Sequence, residues 1–493
     1  MYSSAIKAIR DGKIRAVVLD SGEAQRMGPI CNPRITGSVT KGYVPVVHLR
    51  STDLPKCALR DAGFSEMTLA VSPHPGANLV ERYYQDPAIH GIKVRTYRED
   101  LIRGNLGTLM QLFKSGLFNF DEIEHVAFLF ADTVLNFELL PILAAQIDNE
   151  ADLTIAGYAI PSWVDEEWDL RSFGVAVLEG MPSRPSDMPF ASFQEKMNDF
   201  LQQSRGKALT LTRFREKIED PTRYMMTAES NIIYAGVAFL SVKLIKALRD
   251  VISTNFNDMG FGLLPALDPG RHNEFSGALS PDFLRRLEKR EFKSQCYVLP
   301  EFNTEGKKVF YHDLASPASL LKMQRLVLSG AVDIGAATPG NEYWKPLDPT
   351  GYVGISNPPI LNTEITTSTH YPGAFGPFLG AHGDYRNSSF DPLSVALDYT
   401  YCESSKISGS LIFGGTGKGR DQQVLIENMS LDGCIVMGPV ILKRTGAYHR
   451  FGKEPHLKHV IVHRNPFAPN DPESWAFTPM DIAFGKIPPF RLP

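Results

Sequence analysis

Residues 14–27 run Ile14-Arg15-Ala16-Val17-Val18-Leu19-Asp20-Ser21-Gly22-Glu23-Ala24-Gln25-Arg26-Met27. The apolar run Ile14–Leu19 predicts a buried strand, and it gives way to small and polar residues followed by an Arg. Small residues let backbone N–H groups approach phosphate oxygens, and a guanidinium behind them adds a charge-assisted fork. An ordinary tight turn from strand to helix is the alternative reading. Outward from this stretch the same alternation continues. Helices are expected at Leu54–Ala62, near Leu79–Tyr84, through Leu106, Met110 and Phe113, and at Leu139–Ile147. Strands are expected at Met67–Val71, Ile92–Tyr97, His125–Phe130 and Leu153–Tyr158. Short apolar strands alternating with helix-length segments predict an α/β fold, a doubly wound and mostly parallel sheet covered on both faces. Ligands of such sheets bind outside the C-terminal ends of the strands, so the residues after Leu19, Val71 and Phe130 are the first candidates.

The chain has 493 residues, 43% hydrophobic and 22% charged, which suits two to four ordinary globular domains. Lys plus Arg is 51 and Asp plus Glu is 55, a net charge of −4 that gives no support to a nucleic-acid partner. Phosphorylated small molecules stay open, because a few placed cations serve them without moving the total. No run of about 18 apolar residues occurs, so no transmembrane helix and no membrane partner are expected. The first residues lack the apolar stretch of a signal peptide. Cys31, Cys57, Cys296, Cys402 and Cys434 are five, far apart and without a C-x-x-C, which indicates neither a disulfide framework nor a zinc site. The expectation is a soluble cytoplasmic protein.

From about 170 to 300 the pattern is mixed, with strands at Phe173–Leu178 and Ile232–Leu240 and a largely helical Ser276–Arg290. A helix is expected over 316–329, with Pro317 in its first turn, where a missing N–H costs nothing. Beyond about 350 helical periodicity gives way to short apolar runs between Gly, Asp and Ser turns. This predicts an all-β unit, either a meander or a β-solenoid. A six-residue spacing links Ile407 to Phe413, and Met429 to Ile435 to Ile441.

Three further signals read as ordinary structure. Gly414–Arg420 has Gly419 where a phosphate loop needs Ser or Thr, and reads as a turn. His456, His459 and His463 have loose metal-ligand spacing, but the intervening strand would not put all three on one face. Asp165-Glu166-Glu167 reads as a solvated acidic loop.

The order of motifs resembles the sugar-1-phosphate nucleotidylyltransferases, whose sequences carry G-G-x-G-T-R-L and then K-P-x-x-P-V. Here the first is Ser21-Gly22-Glu23-Ala24-Gln25-Arg26-Met27 and the second Lys41-Gly42-Tyr43-Val44-Pro45-Val46. Gly104-Asn105-Leu106-Gly107-Thr108-Leu109 is similar to the L-G-T-A-G segment that lies against the nucleobase. Phe128-Leu129-Phe130-Ala131-Asp132 is similar to the strand ending in G-D, whose Asp holds the metal. Phe193-Gln194-Glu195-Lys196 resembles E-K-P, Ile233-Tyr234-Ala235-Gly236-Val237 resembles N-A-G-I, and Tyr311–Pro317 resembles W-x-D-x-G-T-P, with Asp313 as second metal ligand.

The resemblance implies a Rossmann-like nucleotidyltransferase domain over 1–330, a linker at 331–350, and a C-terminal domain over 351–493 that is a left-handed β-helix with oligomer contacts. It implies that a sugar-1-phosphate oxygen attacks the α-phosphorus of an NTP and pyrophosphate leaves. Glucose-1-phosphate is the default sugar, and mannose-1-phosphate with GTP the runner-up. Two anions must be brought into line, so cations and positioning do most of the work. Arg26, Lys41 and Lys196 are the implied catalytic cations. Nucleotide contacts are implied at Leu19, Ser21, Gly22, Gly107 and Thr108, and sugar-phosphate contacts at Gly174, Glu195, Lys196, Tyr234 and Gly236. Mg²⁺ is implied at Asp132 and Asp313. Taken alone, Asp132 is equally a helix N-cap, Asp313 a turn residue, and Lys41 and Lys196 solvated surface lysines. Ser21, Ala24, Gly42, Met197, Tyr234 and Ala315 depart from the family pattern. The alternative is a catalytically weak regulatory or sensor homologue that binds nucleotide sugars.

Overall fold

The computed structural model describes residues 2–20, 25–31, 39–47, 49–74, 76–85, 91–102, 104–160, 173–184, 187–216, 230–249, 264, 283, 285–286, 289 and 291–335. Beyond these it describes 345–346, 352–353, 360–361, 364–365, 377–379, 384–391, 393–397, 400–413, 424–438, 440–443, 456–464 and 475–479. The chain divides into two compact units. The first comprises Met1–Gly22, Pro55–Pro73 and Glu81–Tyr311; the second comprises Glu23–Leu54, His74–Val80 and His312–Pro493.

The first unit is built on a nine-stranded sheet. Its strands are β1 (Ile14–Asp20), β2 (Glu66–Val71), β3 (Lys93–Arg98), β4 (His125–Phe130), β5 (Leu153–Ala159), β6 (Gly174–Leu178), β7 (Ala208–Glu216), β8 (Ile232–Ser241) and β9 (Ser294–Val298). They lie in the order β3-β2-β1-β4-β8-β5-β9-β7-β6. The pairs β3–β2, β2–β1, β1–β4 and β5–β9 are parallel, while β8 and β7 run antiparallel to their neighbours. The sheet is therefore mixed. Helices α1 (Ser3–Arg10), α2 (Asp53–Asp61), α3 (Ala77–Tyr83), α4 (Gly104–Lys114), α5 (Leu140–Asp148), α6 (Phe190–Ser204) and α7 (Val242–Arg249) alternate with the strands. Val17 and Val18 of β1 and Val126–Leu129 of β4 are fully buried, as central strands covered on both faces must be. The edge strand β3 is largely exposed and carries charge, with Arg95 bonded to Glu66 at 2.9 Å, a pattern that blunts an open edge. Of the expected helix Ser276–Arg290, only Phe283, Arg285, Arg286 and Lys289 are described; the first three are helical.

In the second unit the chain from 352 to 464 visits three sheets in turn, its strands pairing in parallel with those a coil later, and the last described strand, Trp475–Pro479, returns antiparallel to Val460–Arg464. Three interior ladders result: Tyr385–Cys402–Ile426–Leu442, Phe390–Ile407–Leu431–Leu457 and Ala396–Ile412–Val436–Val462. This is a solenoid of parallel strands, not a meander. The six-residue spacing was the wrong ladder. Cys402, Ile407 and Ile412, and likewise Ile426, Leu431 and Val436, follow one another at five residues and belong to the interior cluster, whereas Phe413, Ile435 and Ile441 do not. Short strands leave room for one or two inward residues each, and tight corners take the rest. Those corners use positive φ at Asn387, Ser404 and Asn428, and at Gly409, Gly433 and His459.

Helix α8 (Pro317–Leu328) also belongs to this unit. Ser316 caps it: its hydroxyl accepts the Ser319 N–H at 3.1 Å, while the Ser319 hydroxyl accepts the Ser316 N–H at 2.9 Å. Pro317 takes the first position, as expected. The Arg325 guanidinium on α8 reaches the Gly409 carbonyl at 3.4 Å, and a Cβ on Gly433 would lie 3.2 Å from the same nitrogen. The helix is thus seated against a glycine corner of the solenoid.

Candidate functional site

Strand order reverses between β1 and β4, since the chain moves outward through β2 and β3 and then returns to β1's other side. Such a switch point splays the two connections apart and opens a crevice at the strands' C-terminal ends. Leu19 is in register with Phe130, and the Ala131 N–H bonds the Leu19 carbonyl at 2.8 Å. On the other side the Ser72 N–H bonds the Asp20 carbonyl at 3.2 Å. The start of the small-residue loop and Asp132 therefore leave the sheet side by side. Asp132 is half-buried, and the chain after it enters the strand Thr133–Leu135, so it is not a helix cap.

Gly236 closes one flank of this crevice. It sits at φ +67° where the pairing of β8 with β5 slips between Tyr234 and Ala238. A Cβ there would lie 2.5 Å from Thr133 Oγ1 and 3.4 Å from Phe130 Cδ2, so both conformation and space demand glycine. Tyr234, half-buried, stands edge-on between Phe130 and Phe214, with ring centroids 6.1 and 6.3 Å away. Tyr234 and Gly236 are thus gathered beside the end of β4. Gly174 begins β6 and is buried opposite Glu216. The neighbouring Phe173 ring packs on Tyr311, as does Tyr158. Asp313, half-buried, follows Tyr311 by two residues and is counted in the second unit. It ends the strand Tyr311–Asp313, three residues before the Ser316 cap.

Other expected residues are placed differently. Glu195 and Lys196 lie within α6 on its exposed side, while Phe193, Met197 and Leu201 turn inward. Gly107 and Thr108 lie inside α4, both buried; the Thr108 hydroxyl donates to Glu99 Oε1 at 2.5 Å. Leu19 is buried in β1. Ser21 and Gly22 lie outside the described residues, as do Gly414–Arg420 and Asp165–Glu167. Arg26 belongs to the helical turn Gln25–Ile30, and its side chain lies outside what is described.

Within the second unit, Lys41 is half-buried in a tightly fastened loop. Ser51 Oγ donates to the Lys41 carbonyl at 2.6 Å, Thr52 Oγ1 to the Gly42 carbonyl at 2.8 Å, and the Ser51 N–H to the Val44 carbonyl at 2.9 Å. The Arg50 guanidinium covers the Tyr43 ring at 4.3 Å. His74 ties the segment after Gln25–Ile30: it accepts the Gly76 N–H at Nδ1 (2.8 Å), which leaves the proton on Nε2, directed at the Cys31 carbonyl 2.7 Å away. Burial pushes its pKa down, against the opposing pull of that carbonyl.

Sequence reading missed two buried carboxylates at the same sheet edge, Asp20 at 5% and Glu99 at 2% exposure. For Asp20 the signal was an acid closing an apolar strand, where an unpaired charge would be costly; Glu99 follows a charged edge strand and gave none. Asp132 in the first unit and Asp313 in the second each offer hard carboxylate oxygens of the kind Mg²⁺ takes as ligands. Among the described residues no group of three His, Cys, Asp or Glu side chains forms a closed metal cage. Also among them, no helix is long and apolar enough to cross a membrane.

No family profile matches this chain, and no curated protein matches it in sequence. A solved structure from Bacillus anthracis, described as a glucose-1-phosphate thymidylyltransferase in complex with a sucrose, is similar over 63% of this chain and 93% of its own. The identity is 12% and the TM-score 0.42, a likeness too slight to carry an argument.

Proposed function

We propose that the chain is a nucleotidyltransferase that joins a sugar-1-phosphate to an NTP and releases pyrophosphate, with glucose-1-phosphate as the default sugar. The observation that carries this is the switch point. The β1 connection and Asp132 leave the sheet together, held by the Leu19–Ala131 hydrogen bond, in the order the motif series requires. The sugar-phosphate oxygen would form its bond to the α-phosphorus as the bond to pyrophosphate breaks, with the electron pair leaving on the pyrophosphate oxygen. Arg26 would stabilise that leaving group, Lys41 would neutralise phosphate charge, and Tyr234 and Gly236 would wall the sugar side. Asp132 and Asp313 are the carboxylates that would hold Mg²⁺, which would supply positive charge to the phosphates. The same reading makes 1–330 the catalytic region, a nucleotidyltransferase fold, and 351–493 a left-handed β-helix through which copies associate.

A second reading is favoured by the exposed helical position of Glu195 and Lys196, which lie on a solvated face. It is a sensor or regulatory homologue that binds sugar nucleotides with little turnover. Pyrophosphate release by the full chain, measured over a panel of NTPs and sugar-1-phosphates, separates the two. Saturable release with one pair supports the transferase. No release with any pair, together with saturable binding of a sugar nucleotide, supports the sensor.

A further inference from the structure

We propose that Gln324 is the positioning residue of the Lys41 loop, its buried amide holding Val47 in a left-handed backbone and so fixing the segment from which Lys41 meets phosphate. The proposal rests on the transferase reading for what Lys41 does, and on geometry alone for what Gln324 does.

Val47 has φ +55° and is fully buried. A β-branched residue is a genuine outlier there, because its Cβ substituents crowd the adjoining peptide. Such conformations persist only when the surroundings over-determine them, and they gather at ligand-handling sites. One side chain here binds the backbone on both sides of the strained segment. Gln324, on α8 and 1% exposed, accepts the Val47 N–H at Oε1 (2.5 Å) and donates from Nε2 to the Pro45 carbonyl (2.7 Å). One amide thus supplies the acceptor and the donor that a neighbouring strand would otherwise offer to Pro45–Val47.

The rest of the loop is tied to its own return strand. The carbonyls of Lys41, Gly42 and Val44 are taken by Ser51 and Thr52. Pro45 and Val47 are instead fastened by a residue far away in sequence. Without Gln324, two backbone groups would be buried unpaired and the strain at Val47 unopposed. The least costly response is for the hairpin Pro45–Val46 and Leu49–Arg50 to relax, which displaces the turn Lys41–Tyr43 at its base. Gln324 would then act on phosphate only through Lys41.

The test uses the full chain carrying Gln324→Met, which keeps length and deletes both hydrogen bonds, and Gln324→Glu, which keeps the acceptor for Val47 and loses the donor to Pro45. Amide exchange is followed across 39–52, with α8 amides as internal reference. Pyrophosphate-release kinetics are measured alongside Lys41→Ala and the double variant. Exchange at Val47 should quicken about tenfold or more in Gln324→Met and less in Gln324→Glu, with α8 unchanged. The KM for NTP should rise in Gln324→Met toward that of Lys41→Ala, and the double variant should be no worse than Lys41→Ala alone. Unchanged exchange at Val47 would overturn the clamp. Losses that multiply in the double variant would overturn its action through Lys41. If the wild-type chain releases no pyrophosphate from any pair, the transferase reading fails, and the exchange comparison alone decides the clamp.

Discussion

Lowering the pH from about 7.5 to about 5 should destabilise the second unit in measurable part through His312. This imidazole is 8% exposed, ahead of α8, with Nε2 3.3 Å from the Ser319 carbonyl. Burial is the main cause pushing its pKa down, the positive charge of Lys322 adds to it, and the Ser319 carbonyl opposes; the result is about 4, from an ordinary 6.5. Between those values the unfolded chain binds a proton that the folded chain refuses. Stability is therefore fully present above pH 6.5 and is lost as pH falls toward 4. The whole difference of about 2.5 units corresponds to about 3 kcal/mol, and at pH 5 about 2 kcal/mol of it is gone. Urea unfolding of the full chain at both pH values, wild type beside His312→Gln, isolates the contribution, because every other titrating group cancels in the comparison. The variant should lose about 2 kcal/mol less than wild type on acidification. Equal losses in the two chains would refute the assignment of a buried neutral imidazole.

Three further outcomes are expected. Gly236→Ala should lower stability by about 1–3 kcal/mol in thermal or urea unfolding, since it combines positive φ with a Cβ 2.5 Å from Thr133 Oγ1; a silent substitution would mean that the β8 bulge is free to move. Arg26→Ala should weaken use of NTP more than use of sugar phosphate, by about 1.5–3 kcal/mol, with Arg26→Lys rescuing only part; equal losses toward both substrates would remove Arg26 from the triphosphate. Light scattering of the full chain should give a mass above one copy if the solenoid mediates association, and a monomer mass would count against that role.

Much of the sheet was legible because central strands buried on both faces read as unbroken apolar runs: Ala16–Leu19 and Val126–Phe130 could hardly be anything else. The crevice followed from topology once β1 and β4 were recognised. Helix α6 was also legible, with Phe193, Met197 and Leu201 at helical spacing, but the Glu195-Lys196 dipeptide was read as a motif and the periodicity around it passed over. Strand β7, with Leu211 and Phe214 turned inward across an irregularity in its pairing, breaks the strict alternation that would have announced it. The solenoid was visible as a class, yet its ladder was not, because buried residues on both sides of the strand Leu411–Phe413 offer two competing periods. The Gln324 clamp had no local signal at all: a hydrogen bond to a backbone 277 positions away leaves no trace in spacing.

The central claim is that the switch point between β1 and β4 performs phosphoryl chemistry with Asp132 at its edge. The direct measurement is Mg²⁺-dependent pyrophosphate release by the wild-type chain and by Asp132→Asn, with folding of both checked by circular dichroism. Removing one carboxylate charge from the ion while keeping side-chain shape should lower turnover by about a hundredfold or more, with the fold intact. Release by Asp132→Asn at the wild-type rate, with the same dependence on Mg²⁺, would contradict the claim.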